Sequence, residues 1–357
     1  MSSPSSNLLH KWFPHTTAPF ICNAPMFGAA GPELAAAVTL AGGFGFIGGG
    51  FAFAAPSPQP AALSAALATA RSLLSLPSPT TPLPLGIGLL TLTPTDLLPA
   101  ILPILAAHRP AAVWLFAPAS GAAHAALIPA LRDAGREWGL RVVVQVGSVA
   151  AAREAAGQGA DGVVAQGVDA GGHQWARGAG VVALVPEVAD MLAREFAGSD
   201  VALLAAGGVA DGRGVAAALA LGAHGVVMGT RFLVAEEAGT TGGVREVLVG
   251  AKDGGGVTVK GRCHDGFNGT AAIWPDVYDG RAVVGRSYRE WEDGVSEDEV
   301  GKRLKESREK GNADAEGRTV VWAGTGVGLI DRVMPAGEIV KEVQAKAREV
   351  VLGMQKL

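Results

Sequence analysis

Eight short runs of apolar residues, at 20–24, 44–48, 83–90, 112–117, 141–146, 162–166, 201–206 and 225–229, are spaced along the first two thirds of the chain. Most are continuous rather than alternating, the pattern of strands covered on both faces. The stretches between them, at 32–40, 61–74, 95–108, 123–138, 149–157, 181–196 and 211–221, are Ala-rich or amphipathic and predict helices, with Asp211 placed to cap the last. Strand–helix alternation repeated eight times over about 210 residues predicts a (β/α)8 TIM barrel. A doubly wound open sheet competes, but it usually has fewer strands and leaves the glycine turns after the last two runs without a role.

Beyond residue 235 the pattern changes. Only five charged residues occur in the first 131 positions (Lys11, Glu33, Arg71, Asp96 and Arg109), whereas charges are dense and aromatics frequent from Glu236 to Arg318. We read 1–235 as the barrel, 236–325 as a smaller appended C-terminal segment covering the active-site face, and 326–357 as a closing segment with a helix over 338–352. Ser296 begins a capping box, and Glu299/Arg303 and Glu306/Lys310 then fall at i,i+4 on a solvated helix.

Composition narrows the class. The chain of 357 residues is 49% hydrophobic and 17% charged, which excludes a disordered chain or a coiled coil. A net charge of −4 gives no reason to expect nucleic acid. Two cysteines, Cys22 and Cys263, cannot form a disulfide framework and point to a reducing, cytoplasmic setting. The N-terminus lacks the apolar centre of a secretory signal, and Gln355-Lys356-Leu357 only weakly matches a peroxisomal address. Residues 34–55 contain one polar residue, Thr39, yet six glycines would break a lipid-exposed helix; a buried helix running into an interior strand is expected, not a membrane span.

In a barrel the chemistry sits just after the strands. Ala206-Gly207-Gly208 follows the seventh run and Met228-Gly229-Thr230 the eighth. Barrel enzymes place a ligand phosphate at these two turns, where glycines let backbone N–H groups approach an anion. After the sixth run, Gly171-Gly172-His173 sets the one histidine of seven that follows a barrel strand, and its glycine loop marks a candidate proton acceptor or hydrogen-bond donor. Asp169 nearby is as well explained by holding that loop. Gln145, a polar residue inside the fifth run, must meet either a ligand atom or a neighbouring strand. Cys22 reads as a small hydrophobe, and His264 beside Cys263 has no further metal-ligand spacing, so no metal is expected.

The segments Asn23-Ala24-Pro25-Met26-Phe27-Gly28, Gln166-Gly167-Val168-Asp169-Ala170-Gly171-Gly172-His173, Ala206-Gly207-Gly208 and Met228-Gly229-Thr230 resemble, in this order, the nitronate monooxygenases, formerly called 2-nitropropane dioxygenases. The resemblance implies one non-covalent FMN and oxidation of alkyl nitronates by O2 to a carbonyl compound and nitrite. It implies that Ala24, Pro25 and Met26 lie along the isoalloxazine and that Gln145 faces its polar edge. Ala206, Gly207, Gly208, Met228, Gly229 and Thr230 would hold the phosphate, with Gly171, Gly172 and His173 bordering the substrate. Many relatives have an Asn on the third strand, where this chain has Gly88, and some have Lys at the position of Gln145. Two other readings stay open: an NAD(P)H-dependent flavin reductase acting on a quinone or enoyl thioester, and a barrel binding a phosphorylated metabolite without redox chemistry. The expected partners are small molecules, on a monomer or homodimer.

Overall fold

A computed structural model describes residues 8–93, 96–118 and 122–354. The eight predicted runs all become parallel barrel strands: β1 (Phe20–Asn23), β2 (Phe46–Gly50), β3 (Leu83–Leu90), β4 (Pro110–Phe116), β5 (Arg141–Val146), β6 (Gly162–Gln166), β8 (Ala202–Ala206) and β9 (Gly225–Met228). Between the sixth and seventh of these lies a short additional strand, β7 (Gly172–Trp175), outside the barrel. The barrel sheet runs β1-β9-β8-β6-β5-β4-β3-β2. Its last seam, between β2 and β1, lacks a regular ladder and is held by a single bridge, Cys22 to Phe44, with Phe44 N–H donating to Ile21 C=O at 2.9 Å. The Asn23 side chain completes the seam: Phe46 N–H donates to its Oδ1 at 2.9 Å, and its Nδ2 donates to Phe46 C=O at 2.8 Å.

Strand alternation divides the core into two layers. On β4, Ala112, Trp114 and Phe116 point into the barrel while Val113 and Leu115 face the helices; on β8, Ala202, Leu204 and Ala206 point inward and Leu203 and Ala205 outward. Both faces are apolar because both are covered, which is why the runs are continuous. The short Leu8–Trp12 helix brings Leu9 and Phe13 against Phe20 and Phe44, filling the N-terminal mouth, so the opposite mouth is the open one.

The helices follow the pattern. Pro32–Leu40 and Val149–Gly157 form as expected, and the Asp211 carboxylate accepts from Arg213 and Gly214 N–H to cap Gly212–Ala220. The apolar 34–55 stretch is this first helix followed by β2, and among the described residues no helix is long and apolar enough to cross a membrane. The closing helix, Ala336–Met354, packs on the Pro32–Leu40 and Gly212–Ala220 helices. The C-terminal tripeptide and the first seven residues lie outside the described residues.

The charged segment adds β10 (Thr258–Gly261) and β11 (Tyr278–Val283), which join β7 in an antiparallel sheet of order β10-β11-β7. The segment is therefore stitched to the loop that follows β6. Glu290 gathers Arg286, Arg303 and Arg318, and their hydrogen bonds hold its carboxyl down at about 2. Ser296 caps the Glu297–Glu309 helix and Glu299 pairs with Arg303 as expected; Glu306 and Lys310 form no ion pair, Lys310 lying at the frayed helix end.

Candidate active site

The open mouth holds a cavity of about 910 Å³. Its floor and walls come from the C-terminal ends of the barrel strands, and its roof from the charged segment.

The two glycine turns lie side by side. Gly207 (φ +110°) and Gly208 (φ +70°) adopt backbone that only glycine takes without strain. A Cβ at Gly207 would stand 2.9 Å from Gly167 O. Gly229, just after β9, would bring a Cβ into ordinary contact with Ala24 Cβ at 3.7 Å and Met26 Sδ at 3.8 Å. Among the described residues, the backbone N–H groups of Gly208, Gly229 and Thr230 find no acceptor, while that of Gly207 faces Val227 C=O at the end of the β8/β9 ladder. Three unpartnered donors at one edge of a cavity can cradle an anion, since such groups are rarely left without a partner. Gly324, near the end of the appended segment, and Gly326, at the start of the closing one, line the same edge; Gly324 N–H donates to Thr230 Oγ1 at 3.0 Å, and a Cβ at Gly326 would reach within 2.5 Å of Gly208 O.

A second wall is built at the end of β1. Ala24 N–H donates to Met228 C=O, and Met26 N–H turns back to Ala24 C=O. Pro25 then lies so close to β3 that a Cβ on Gly88 would come within 2.2 Å of the Pro25 ring. Gly88 is thus required by the proline it faces, which accounts for the absence of a side chain at that position.

Gln145 points into the barrel, as its alternation with Val143 demands. Its partners are neither backbone nor, on the protein side, a vacancy: Trp114 Nε1 donates to its Oε1 at 3.2 Å, and its Nε2 donates to Gln166 Oε1 at 2.7 Å. Gln166 Nε2 in turn donates to His173 C=O at 3.2 Å. All three side chains line the cavity, and the two amides keep hydrogen-bonding capacity for a ligand.

His173 is not in a flexible glycine loop. It sits on β7, opposite Gly280 of β11, because the charged segment zips antiparallel onto this stretch. Its ring stacks on Trp274 (centroids 3.6 Å apart, planes 9° apart) and leans on Trp322 at 4.8 Å. Its Nε2 donates to Asp265 Oδ1 at 2.7 Å. Asp169, by contrast, holds the loop, accepting from Val181 N–H and, through its carbonyl, from Thr325 N–H.

Every candidate residue lines this cavity except Met228. Its side chain is fully buried between barrel and helices, since on β9 Val227 takes the inward position and Met228 the outward one; only its carbonyl, under Ala24, serves the site. The sequence reading missed Gln166, Asp265, Trp274 and Trp322. Gln166 carried the same signal as Gln145, a polar residue ending an apolar run; the other three arrive from a segment about 90 or more residues away and carried none. Cys22 is fully buried and Cys263 nearly so, and burial pushes both thiols up, Cys263 to about 11. Among the described residues no group of three or more His, Cys, Asp or Glu gathers as a metal site.

The family model for nitronate monooxygenase matches residues 122–346. A nitronate monooxygenase of Neurospora crassa is 48% identical over 97% of this chain and 94% of its own length. Among solved structures, FabK from Thermotoga maritima superposes with a TM-score of 0.74 at 25% identity, covering 98% of both chains. Nitroalkane oxidase from Streptomyces ansochromogenes gives 0.73 at 25% identity, over 97% of this chain and 99% of that one.

Proposed function

Because the chain belongs to the nitronate monooxygenase family, we propose that it is an oxidoreductase that binds FMN and oxidises alkyl nitronates with O2, yielding a carbonyl compound and nitrite. The observation that carries this reading is the shared cavity, in which three unpartnered backbone donors lie along one edge and a hydrogen-bonded histidine lines another wall.

The residues fit the cofactor. Gly208, Gly229 and Thr230 offer N–H groups to a phosphate, and Gly207, Gly208 and Gly229 put no Cβ in the way. Ala24, Pro25 and Met26 provide a mainly apolar wall for a flat ring system, and Gln145 and Gln166 present amides that can read its heteroatoms. When bound, FMN supplies the electron acceptor that no side chain offers.

The chain's own groups do the remaining work. A nitronate is already an anion, so it needs orientation and charge stabilisation more than a strong base. His173 accepts the α-proton when a neutral nitroalkane enters, and once protonated donates a hydrogen bond to the nitro oxygens. Trp274, Trp322, Phe116 and Leu92 wall the cavity with apolar surface and exclude water around the reacting carbon.

The test is a visible spectrum of the purified protein, identification of the flavin released on denaturation, and nitrite release from ethyl nitronate under air. Yellow protein that yields FMN and makes nitrite supports the reading. Protein that carries no flavin and takes none up refutes it, and flavin bleached rapidly by anaerobic NADPH but inert to nitronate assigns the barrel to reductase chemistry instead.

A further inference from the structure

Asp265 is 1% exposed, on the short Cys263–Asn268 helix of the charged segment. Its Oδ1 accepts from His173 Nε2 at 2.7 Å and from Thr270 Oγ1 at 3.1 Å, and its Oδ2 is buried with no hydrogen-bond partner. No lysine or arginine among the described residues lies within ion-pair distance of it; His173 is the titratable group in contact with it, with His264 beside it in the chain and turned to Val259 C=O. A buried carboxylate of this kind is costly unless a charge develops beside it. The two indoles against the His173 ring add faces that attract a cation. His173 Nδ1 makes no hydrogen bond to the described residues, while the residue lines the cavity.

We propose that Asp265 is a positioning residue that fixes His173 as the Nε2–H tautomer, leaving Nδ1 free to take the α-proton of a neutral nitroalkane. This rests on the nitronate reading of the cavity. In the step, the α C–H bond of the nitroalkane breaks and its electron pair forms the C=N bond of the nitronate. The negative charge passes to the nitro oxygens and the proton to His173 Nδ1. The resulting imidazolium keeps its Nε2–H on Asp265, and the indoles lie along its faces.

The experiment compares the wild-type protein with Asp265→Asn on nitroethane and on preformed ethyl nitronate, with ¹⁵N NMR of histidine-labelled protein free of substrate. Asn is isosteric but uncharged, so it gives up the tautomer and the stabilised imidazolium. The variant is expected to keep its flavin, to lose about 10²-fold in kcat/KM on nitroethane, and to lose about tenfold on the nitronate. The wild-type His173 signal is expected to report Nε2–H. Equal losses on both substrates, or none on nitroethane, overturn the proposal, as does an Nδ1–H tautomer in the wild type, a reading that needs no variant to fold. If the wild type oxidises neither substrate, the proposed function fails, and the tautomer alone still decides the role of Asp265.

Discussion

The barrel seam gives the sharpest test of the fold. Asn23 is fully buried and replaces backbone pairing between β1 and β2. Replacing it with leucine keeps the same number and branching of side-chain heavy atoms in a bulkier group, so water has no room to enter, but removes the partners of Phe46 N–H and Phe46 C=O. Each buried backbone group left unpaired costs about 1–3 kcal/mol, which puts Asn23→Leu at about 4 kcal/mol. That is a large part of the roughly 5–15 kcal/mol typical of a folded domain. Asn23 Nδ2 also donates to Ala24 C=O at 3.0 Å, so the same change loosens the first residue of the proposed flavin wall. The assay is urea unfolding of flavin-free protein by far-UV circular dichroism and tryptophan fluorescence, since bound cofactor would add its own stabilisation. A loss below about 0.5 kcal/mol would refute the view that this side chain closes the barrel.

The same residue shows where sequence reading stops. Asn23 sits in a strand whose apolar neighbours announce it clearly, but its amide is needed only because β2 enters the sheet two residues late and leaves Phe46 facing a side chain. The eight strands were legible since burial on both faces leaves an uninterrupted apolar signature. The glycine turns were legible because backbone donors near an anion demand residues without Cβ, and the turns recur at fixed places in such a barrel. His173 was legible by its place after β6, but its environment was not: β11 and the Cys263–Asn268 helix reach it from about 90 to 110 residues away, and no local pattern encodes that pairing. Met228 was misplaced because a turn motif was read without counting strand alternation through Val227.

Other consequences can be checked separately. Gly88→Ala drives a methyl group into Pro25 and should cost about 1–3 kcal/mol while weakening FMN binding about tenfold, read by flavin fluorescence titration; unchanged affinity would disconnect Pro25 from the cofactor wall. Burial pushes His124, which pairs with Thr91, down to about 4. Between about pH 6.5 and 4 the unfolded chain therefore binds a proton that the folded chain refuses, and stability falls with falling pH by up to about 3 kcal/mol before levelling below pH 4. His124→Gln should flatten that slope in unfolding midpoints measured from pH 7 to 4, and an unchanged slope contradicts the assignment. Cys22 and Cys263 should resist a thiol reagent in the native protein and react only on unfolding; prompt labelling of either would show that its burial is not maintained in solution.

The most direct measurement is nitrite release by His173→Ala beside the wild type, with bound flavin quantified in both. The wild-type protein should turn over ethyl nitronate, and the variant should hold the same FMN while losing about 10²–10⁴-fold in turnover of nitroethane, whose α-proton must be removed, the usual contribution of a positioned proton-transfer group. A variant that keeps its flavin and oxidises nitroethane at the wild-type rate would contradict the assignment of this cavity and its histidine.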